Sequence, residues 1–157
     1  MPPVIPFDQA LQKLESYCAY QERCLLEVKK KIQSWKLSSQ DSTALIDSLI
    51  DNGFLNEERF AHAYVSGKFR INKWGRWKIY AHLQQKQIGK ELSKKAVLDI
   101  PEADYIETIS GLINRKLSTL NESDEAKREK VFRYLMAKGF ELEWIQLAYK
   151  PYESKDH

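Results

Sequence analysis

The chain has 157 residues, 43% of them hydrophobic and 30% charged, with a net charge of +3. That balance describes a folded, soluble chain and excludes wholesale disorder. No apolar run approaches the roughly 18 residues needed to span a bilayer, and Met1-Pro-Pro-Val-Ile-Pro-Phe7 lacks the cationic start and long apolar stretch of a secretion signal, so a cytosolic location is expected.

Pro and Gly are sparse inside long segments of 3.6-residue periodicity, and two-residue alternation is nowhere sustained, which predicts an all-α chain. Helices are expected over 7–19, 22–34, 40–51, 57–70, 75–86, 90–99, 102–118, 124–137 and 141–150. Ser39 with Ser42, Asn56 ahead of Glu57 and Glu58, and the stretch from Asn121 to Glu125 offer acceptors or negative charge to the unpaired N–H groups of helix starts. Gly53 and Gly139 fall where helices should stop in a left-handed cap.

In the first third, Leu11, Leu14, Leu25, Leu26, Val28 and Ile32 are the expected core, and Lys29-Lys30-Lys31 is either a solvated face or an extension of a basic groove. Cys18 and Cys24 do not have the spacing of a zinc knuckle, and His62, His82 and His157 are scattered, so two free thiols and no metal site are expected. The stretch from Leu45 to Val65 reads as a helix, a tight stop at Gly53 and a second helix, a firm joint between two modules. The third part, from about Glu102, mixes both charge signs, with Phe132, Tyr134, Phe140 and Trp144 expected at core and interface.

A period emerges when the apolar anchors are aligned. Val28, Ile32 and Leu37 match Ile79, Leu83 and Ile88, and then Val131, Leu135 and Phe140, at offsets of 51 and 52 residues. Eight residues on come Leu45, Ala96 and Ala148. This predicts three tandem three-helix repeats, over 1–53, 54–100 and 101–157, stacked into an elongated, curved body that binds along a surface.

Charge is concentrated in the middle. From Arg59 to Lys95 there are ten Lys or Arg against one acid, Glu91, so this window carries +9 and the remainder −6. Within it, residues 68–80 hold five cations and four aromatic rings. An acidic partner is the expected counterpart of such a field. Lys68, Arg70, Lys73, Arg76, Lys78 and Lys86 are the candidate contacts. Trp74 and Trp77 either stack on a partner or pack in the core, Trp77 being the better contact if it lies outside the face of Ile79 and Leu83. Arg59 follows two acids and has a local pairing open to it.

Asn52-Gly-Phe-Leu-Asn-Glu-Glu-Arg-Phe-Ala-His-Ala-Tyr-Val65, then Lys73-Trp-Gly-Arg-Trp-Lys-Ile79, then Leu83, Lys86 and Ile88, together resemble the RecX family, the small bacterial modulators of the RecA recombinase. Residues 53–88 fit that pattern in order and spacing, and the family's tandem three-helix architecture agrees with the repeat. Two positions depart from it: Gln87 stands where the family usually has Gly, and Asn56 where an acid is commoner. The resemblance implies a non-enzymatic, monomeric protein that binds the RecA–DNA filament, meeting protein, single-stranded DNA or the DNA within the filament, and restrains recombinase and coprotease activity. The alternative is a stand-alone helical DNA-binding protein without sequence preference. The sequence spaces no nucleophile with a base, no carboxylate cluster and no phosphate-cradling glycine loop, so no catalytic site and no cofactor are expected.

Overall fold

The computed structural model describes residues 5–153. Among them the chain forms nine α-helices and no strand: α1 (Phe7–Tyr20), α2 (Leu25–Gln33), α3 (Ser39–Asp51), α4 (Glu57–Arg70), α5 (Arg76–Gln85), α6 (Lys90–Leu98), α7 (Glu102–Leu117), α8 (Asp124–Ala137) and α9 (Leu142–Tyr149), followed by a short 3-10 turn, Lys150–Tyr152. The largest difference from the expected boundaries is at α2, which begins at Leu25 and not at residue 22. Cys24 is extended there (φ −97°, ψ 166°) and its N–H donates to Glu27 Oε1 at 3.0 Å, so the helix is capped at that point. Asn56 caps α4 by accepting from the N–H of Arg59 at 2.9 Å, as its position suggested. Ser38 caps α3 and Ser123 caps α8, each through its hydroxyl.

The repeat is visible in side chains and backbone alike. Val28 and Ile32 lie on α2, Ile79 and Leu83 on α5, Val131 and Leu135 on α8, and all six are buried. Ile88 and Phe140 are buried beyond the ends of α5 and α8, whereas Leu37 beyond α2 is only half-buried, packed on the smaller core of the first unit. Leu45, Ala96 and Ala148 are buried on α3, α6 and α9. The residue before each third anchor, Lys36, Gln87 or Gly139, has a positive φ, of 53°, 61° and 97°. After Gln87 and Gly139 the next N–H turns back to a carbonyl five residues earlier, Ile88 to Leu83 and Phe140 to Leu135, both at 3.1 Å.

Gln87, the departure from the family pattern noted above, therefore carries a left-handed torsion without the residue that adopts it freely. Left-handed backbone costs an L-residue roughly 1–2 kcal/mol, part of which glycine returns as entropy of the unfolded chain. Gln87→Gly should raise the unfolding free energy by about 0.5–1 kcal/mol, read from the urea midpoint at constant slope. A lower midpoint would show that contacts of the exposed Gln87 side chain outweigh the torsion.

Two hydrophobic cores hold the molecule. The first gathers Leu14, Val28, Ile32, Leu45, Leu49 and Leu55 from α1 to the start of the second unit. The second runs from Phe60 to Tyr149, so the second and third units share one interior, and it takes in Cys24 and the flank of Leu26 from the first. Apart from that apolar contact, the first joint is polar. Arg59 pairs with Glu22 at 2.6 Å and donates to the carbonyl of Gly53 at 2.8 Å, Glu57 accepts from the N–H of Leu25 at 3.2 Å, and Lys86 lies 3.6 Å from Glu27. Arg59 thus reaches across units instead of pairing with its neighbours Glu57 and Glu58. Cys18 and Cys24 are unpaired and buried, and burial pushes both thiols above their ordinary pKa, away from the reactive thiolate. No helix among the described residues is long and apolar enough to cross a membrane.

Candidate functional site

The connection from α4 to α5, Ile71-Asn-Lys-Trp-Gly75, is the centre of the basic window. Lys73 takes a positive φ of 55°, which reverses the chain and brings the N–H of Trp74 to the carbonyl of Lys68 at 3.2 Å. The N–H of Gly75 then donates to the carbonyl of Lys138 at 2.8 Å, and that of Trp77 to Gly139 at 3.0 Å. Two turns from different units therefore meet backbone to backbone. A Cβ at Gly75 would lie 2.3 Å from the carbonyl carbon of Gly139, and a Cβ at Gly139 would lie 2.4 Å from Cβ of Lys78. The glycine at 75 is thus required by close approach; its own φ of −79° suits any residue.

This contact lays out a row of alternating rings and ammonium groups. Trp74 is half-buried against the second core and tilted on His82, with ring centres 4.5 Å apart. Lys78 Nζ lies 4.5 Å from the Trp74 ring centre and Lys68 Nζ 5.0 Å from it, and Lys68 also lies 5.4 Å from the Tyr64 ring. Lys86 stands 5.8 Å from the same Tyr64 ring. From the third unit, Lys138 and Lys116 lie 5.7 and 4.9 Å from the Tyr134 ring, and Lys138 Nζ donates to the carbonyl of Asn72 at 3.3 Å. Each such contact contributes about 0.5–1 kcal/mol at an exposed site and fixes where the charge points.

Apart from Lys86, the ammonium groups along this ribbon are in no ion pair among the described residues. None of the ion pairs among the described residues involves Lys68, Lys73, Lys78 or Lys138. Partial burial, and then Lys78, Lys68 and Lys86, push the His82 imidazole below its ordinary pKa; partial burial, Lys78 and Lys73 do the same to the Lys138 ammonium. Both groups register a positive field that a bound anion would relieve.

Three of the expected contacts need correction or relocation. Arg76 is not on the surface: its side chain is buried, donating from Nε to the carbonyl of Val97 (3.1 Å) and from Nη2 to that of Ile100 (3.3 Å), with Nη1 3.4 Å from Glu141 Oε2. Its guanidinium is stacked 4.0 Å from the centre of the Tyr105 ring, and the Tyr105 hydroxyl accepts from the Arg76 N–H and donates to Glu141. Arg76 therefore ties the second unit to the third and has no free face for a partner. Lys86 is at the edge of the ribbon but is half-buried and paired with Glu27 across the first joint. Arg70 is exposed and lines the groove between α4 and α7 with Asp104, Glu107 and Arg115, and Lys73 borders the same groove. Trp77 is 64% exposed, outside the Ile79 and Leu83 face, whereas Trp74 packs inward. Tyr64, His82, Lys116 and Lys138 were not singled out as contacts from the sequence, and Tyr134 was expected at core and interface. Lys138 had a signal: it precedes Phe140 by two residues, as Lys86 precedes Ile88.

Among the described residues no group of three His, Cys, Asp or Glu is placed to hold a metal ion. What the site presents to its surroundings is ammonium groups and aromatic rings.

Residues 56–97 match the family model described as the second three-helix domain of RecX, and residues 102–148 match that of its third three-helix domain. A protein of Lactobacillus gasseri named regulatory protein RecX is 24% identical over 139 residues, covering 88% of this chain and 51% of that protein. One from Serratia proteamaculans with the same name is 32% identical over 113 residues, covering 69% and 66%. The chain thus spans about half the length of the Lactobacillus gasseri relative. In fold, it superposes on the crystal structure of RecX from Lactobacillus salivarius with a TM-score of 0.86 at 22% identity, covering 92% of this chain and 95% of that one.

Proposed function

The chain belongs to the RecX family, and on that premise we propose that it binds the RecA–DNA filament and restrains it. The observation that carries this reading is the unpaired ribbon of Lys68, Lys78 and Lys138 interleaved with Tyr64, Trp74 and Tyr134, with Lys73 near enough to act on the charge of Lys138. A filament on DNA presents phosphates and acidic protein surface along a continuous groove, and three units in tandem touch several protomers at once, gaining affinity by multivalent contact. Such a ligand acts by differential binding: holding a filament state that cannot exchange strands, or filling the groove where a second DNA or a cleavage substrate enters, inhibits without chemistry of its own. In this role the protein is a cytoplasmic, monomeric, non-enzymatic regulator of DNA recombination and repair and of the SOS response.

The test is the single-stranded-DNA-dependent ATPase of the cognate recombinase. The wild-type chain should lower it at substoichiometric to stoichiometric ratios. The triple variant Lys68→Glu, Lys73→Glu, Lys78→Glu should lose that inhibition while keeping its helicity, its stability falling only by the ring contacts of Lys68 and Lys78, about 0.5–1 kcal/mol each. Inhibition undiminished in the folded triple variant would move the contact surface elsewhere, and a wild-type chain without effect at any ratio would remove the filament from the proposal.

The stacked rings also favour a second reading, direct binding of DNA without a protein partner. If six or more phosphates are neutralised, affinity should fall about a thousandfold between roughly 50 and 200 mM salt. Trp77, outward-facing and 64% exposed, is then the ring to replace, and Trp77→Ala should weaken oligonucleotide binding by about 1–3 kcal/mol without altering the salt slope.

A further inference from the structure

The first unit carries a second groove, apart from the ribbon, that neither the charge map nor the family match assigns. It is a cavity of about 650 Å³ whose working residues are Lys13, Tyr17, Tyr20, Arg23, Lys31 and Trp35, with only Gln and Ser beside them and no carboxylate in its wall. Arg23 is fixed inside it twice over. Its Nε donates to the carbonyl of Tyr17 at 2.9 Å, and its guanidinium lies 3.8 Å from the centre of the Tyr17 ring and 6.0 Å from that of Tyr20. Those contacts leave Nη1 and Nη2 without a hydrogen-bond or carboxylate partner among the described residues. Lys31 Nζ, 5.2 Å from the same Tyr17 ring, supplies a second unpaired cation. Tyr20 is 83% exposed, and its ring stands beside the Arg23 guanidinium.

We propose that this groove is a binding site for single-stranded nucleic acid, in which the free fork of Arg23 takes a backbone phosphate, Lys31 a neighbouring one, and the exposed Tyr20 ring receives an unstacked base. A guanidinium held over a ring and by its Nε, with both Nη groups unpaired, matches a phosphate's paired oxygens, and less ordering is lost on binding than with a free side chain. An acidic peptide would satisfy the cations as well but leaves the Tyr20 ring without a use. The site lies on the first unit, whereas the ribbon lies on the second and third, so it stands independently of the recombinase.

The experiment is fluorescence anisotropy of a short labelled oligothymidylate with the full chain and no recombinase, in a background where Lys68, Lys73 and Lys78 are each replaced by Gln. Binding by that background protein at about 50 mM salt should persist, and adding Tyr20→Ala with Arg23→Gln should weaken it by about tenfold or more. Lys31→Gln alone, at an exposed position where folding is not at risk, should reduce the slope of log affinity against log salt by about 0.7. Unchanged affinity in the Tyr20 and Arg23 variant, or no oligonucleotide binding by the background protein, overturns the proposal. Loss of poly-glutamate binding with oligonucleotide binding intact would make the groove a protein-docking site and overturn it equally.

Discussion

Replacing Arg76 by Ala should lower the unfolding free energy by about 3–5 kcal/mol, the range seen when one partner of a buried ion pair is removed. The side chain meets Glu141 at 3.4 Å and the carbonyls of Val97 and Ile100 at 3.1 and 3.3 Å, and it covers the rings of Tyr105 and Trp144. Without it, the Glu141 carboxylate stays in a largely dry site and two carbonyls at the end of α6 lose their donors. Burial and the Glu141 carboxylate push the Tyr105 hydroxyl well above the ordinary tyrosine pKa, so that phenol stays protonated and keeps donating to Glu141, but it brings no positive charge to replace the guanidinium. Arg76→Lys should recover little, since an ammonium cannot span three acceptors held in a fork. Adding Glu141→Gln to Arg76→Ala should return about 1–2 kcal/mol by removing the stranded charge. Urea unfolding of the four proteins checks this, and a loss under about 1 kcal/mol for Arg76→Ala would mean the network is a surface pair in effect.

Gly139→Ala should cost about 3 kcal/mol or more, through two separable causes. The φ of +97° is unfavourable for alanine, and the added methyl would enter the backbone of Lys78. Gly75→Ala isolates the second cause, because its torsion is ordinary but its Cβ would lie 2.3 Å from Gly139. Gly53→Ala isolates the first, because φ is +77° and nothing lies within 4 Å of the added carbon. The expected order of melting temperatures is Gly53→Ala, lowered by only a few degrees, then Gly75→Ala, then Gly139→Ala, at about 2–4 °C per kcal/mol for a chain of this size. If Gly75→Ala melts with the wild type, the backbone contact between the two turns is not as close as described. The ribbon should suffer in parallel, since this contact places Lys138 beside Lys73 and Lys78.

The helices could be read from the sequence because each buries a stripe with the right period and several carry capping residues at their starts. Gly139 and Gly53 likewise announced their turns. Arg76 could not be placed, for a physical reason: its local setting, Lys-Trp-Gly-Arg-Trp-Lys, looks like any cationic surface, and the carboxylate that draws it inward lies 65 residues further on. A comparable distance hid Lys138, which reaches the ribbon because Gly75 meets Gly139, and left Tyr134 legible only as a ring of the core and interface. Trp74 and Trp77 are three apart on the chain, but only the second falls on the outer face of α5, a distinction that helical spacing permits and the reversal at Lys73 decides. Lys86 was counted as free charge because Glu27, its partner, belongs to another unit.

The joint between the first unit and the rest has a consequence for how the molecule responds to its surroundings. Two of its ties, Arg59 with Glu22 and Lys86 with Glu27, are partly exposed ion pairs, whereas the joint between the second and third units is held by a buried network and by backbone hydrogen bonds. Mobile ions screen the former within a Debye length of about 8–10 Å and scarcely touch the latter. On the proposed function, ionic strength is therefore a single dial acting on two properties, the grip of the ribbon on phosphate and the angle at which the leading arm is carried. A donor and acceptor dye pair spanning that joint should report a broader distance distribution as salt rises, while a pair spanning α5 and α8 stays fixed. An arm loosened under the conditions that weaken the grip would make the proposed release a stepwise event, one unit at a time, and would let a regulator of this shape leave a filament without every contact failing at once.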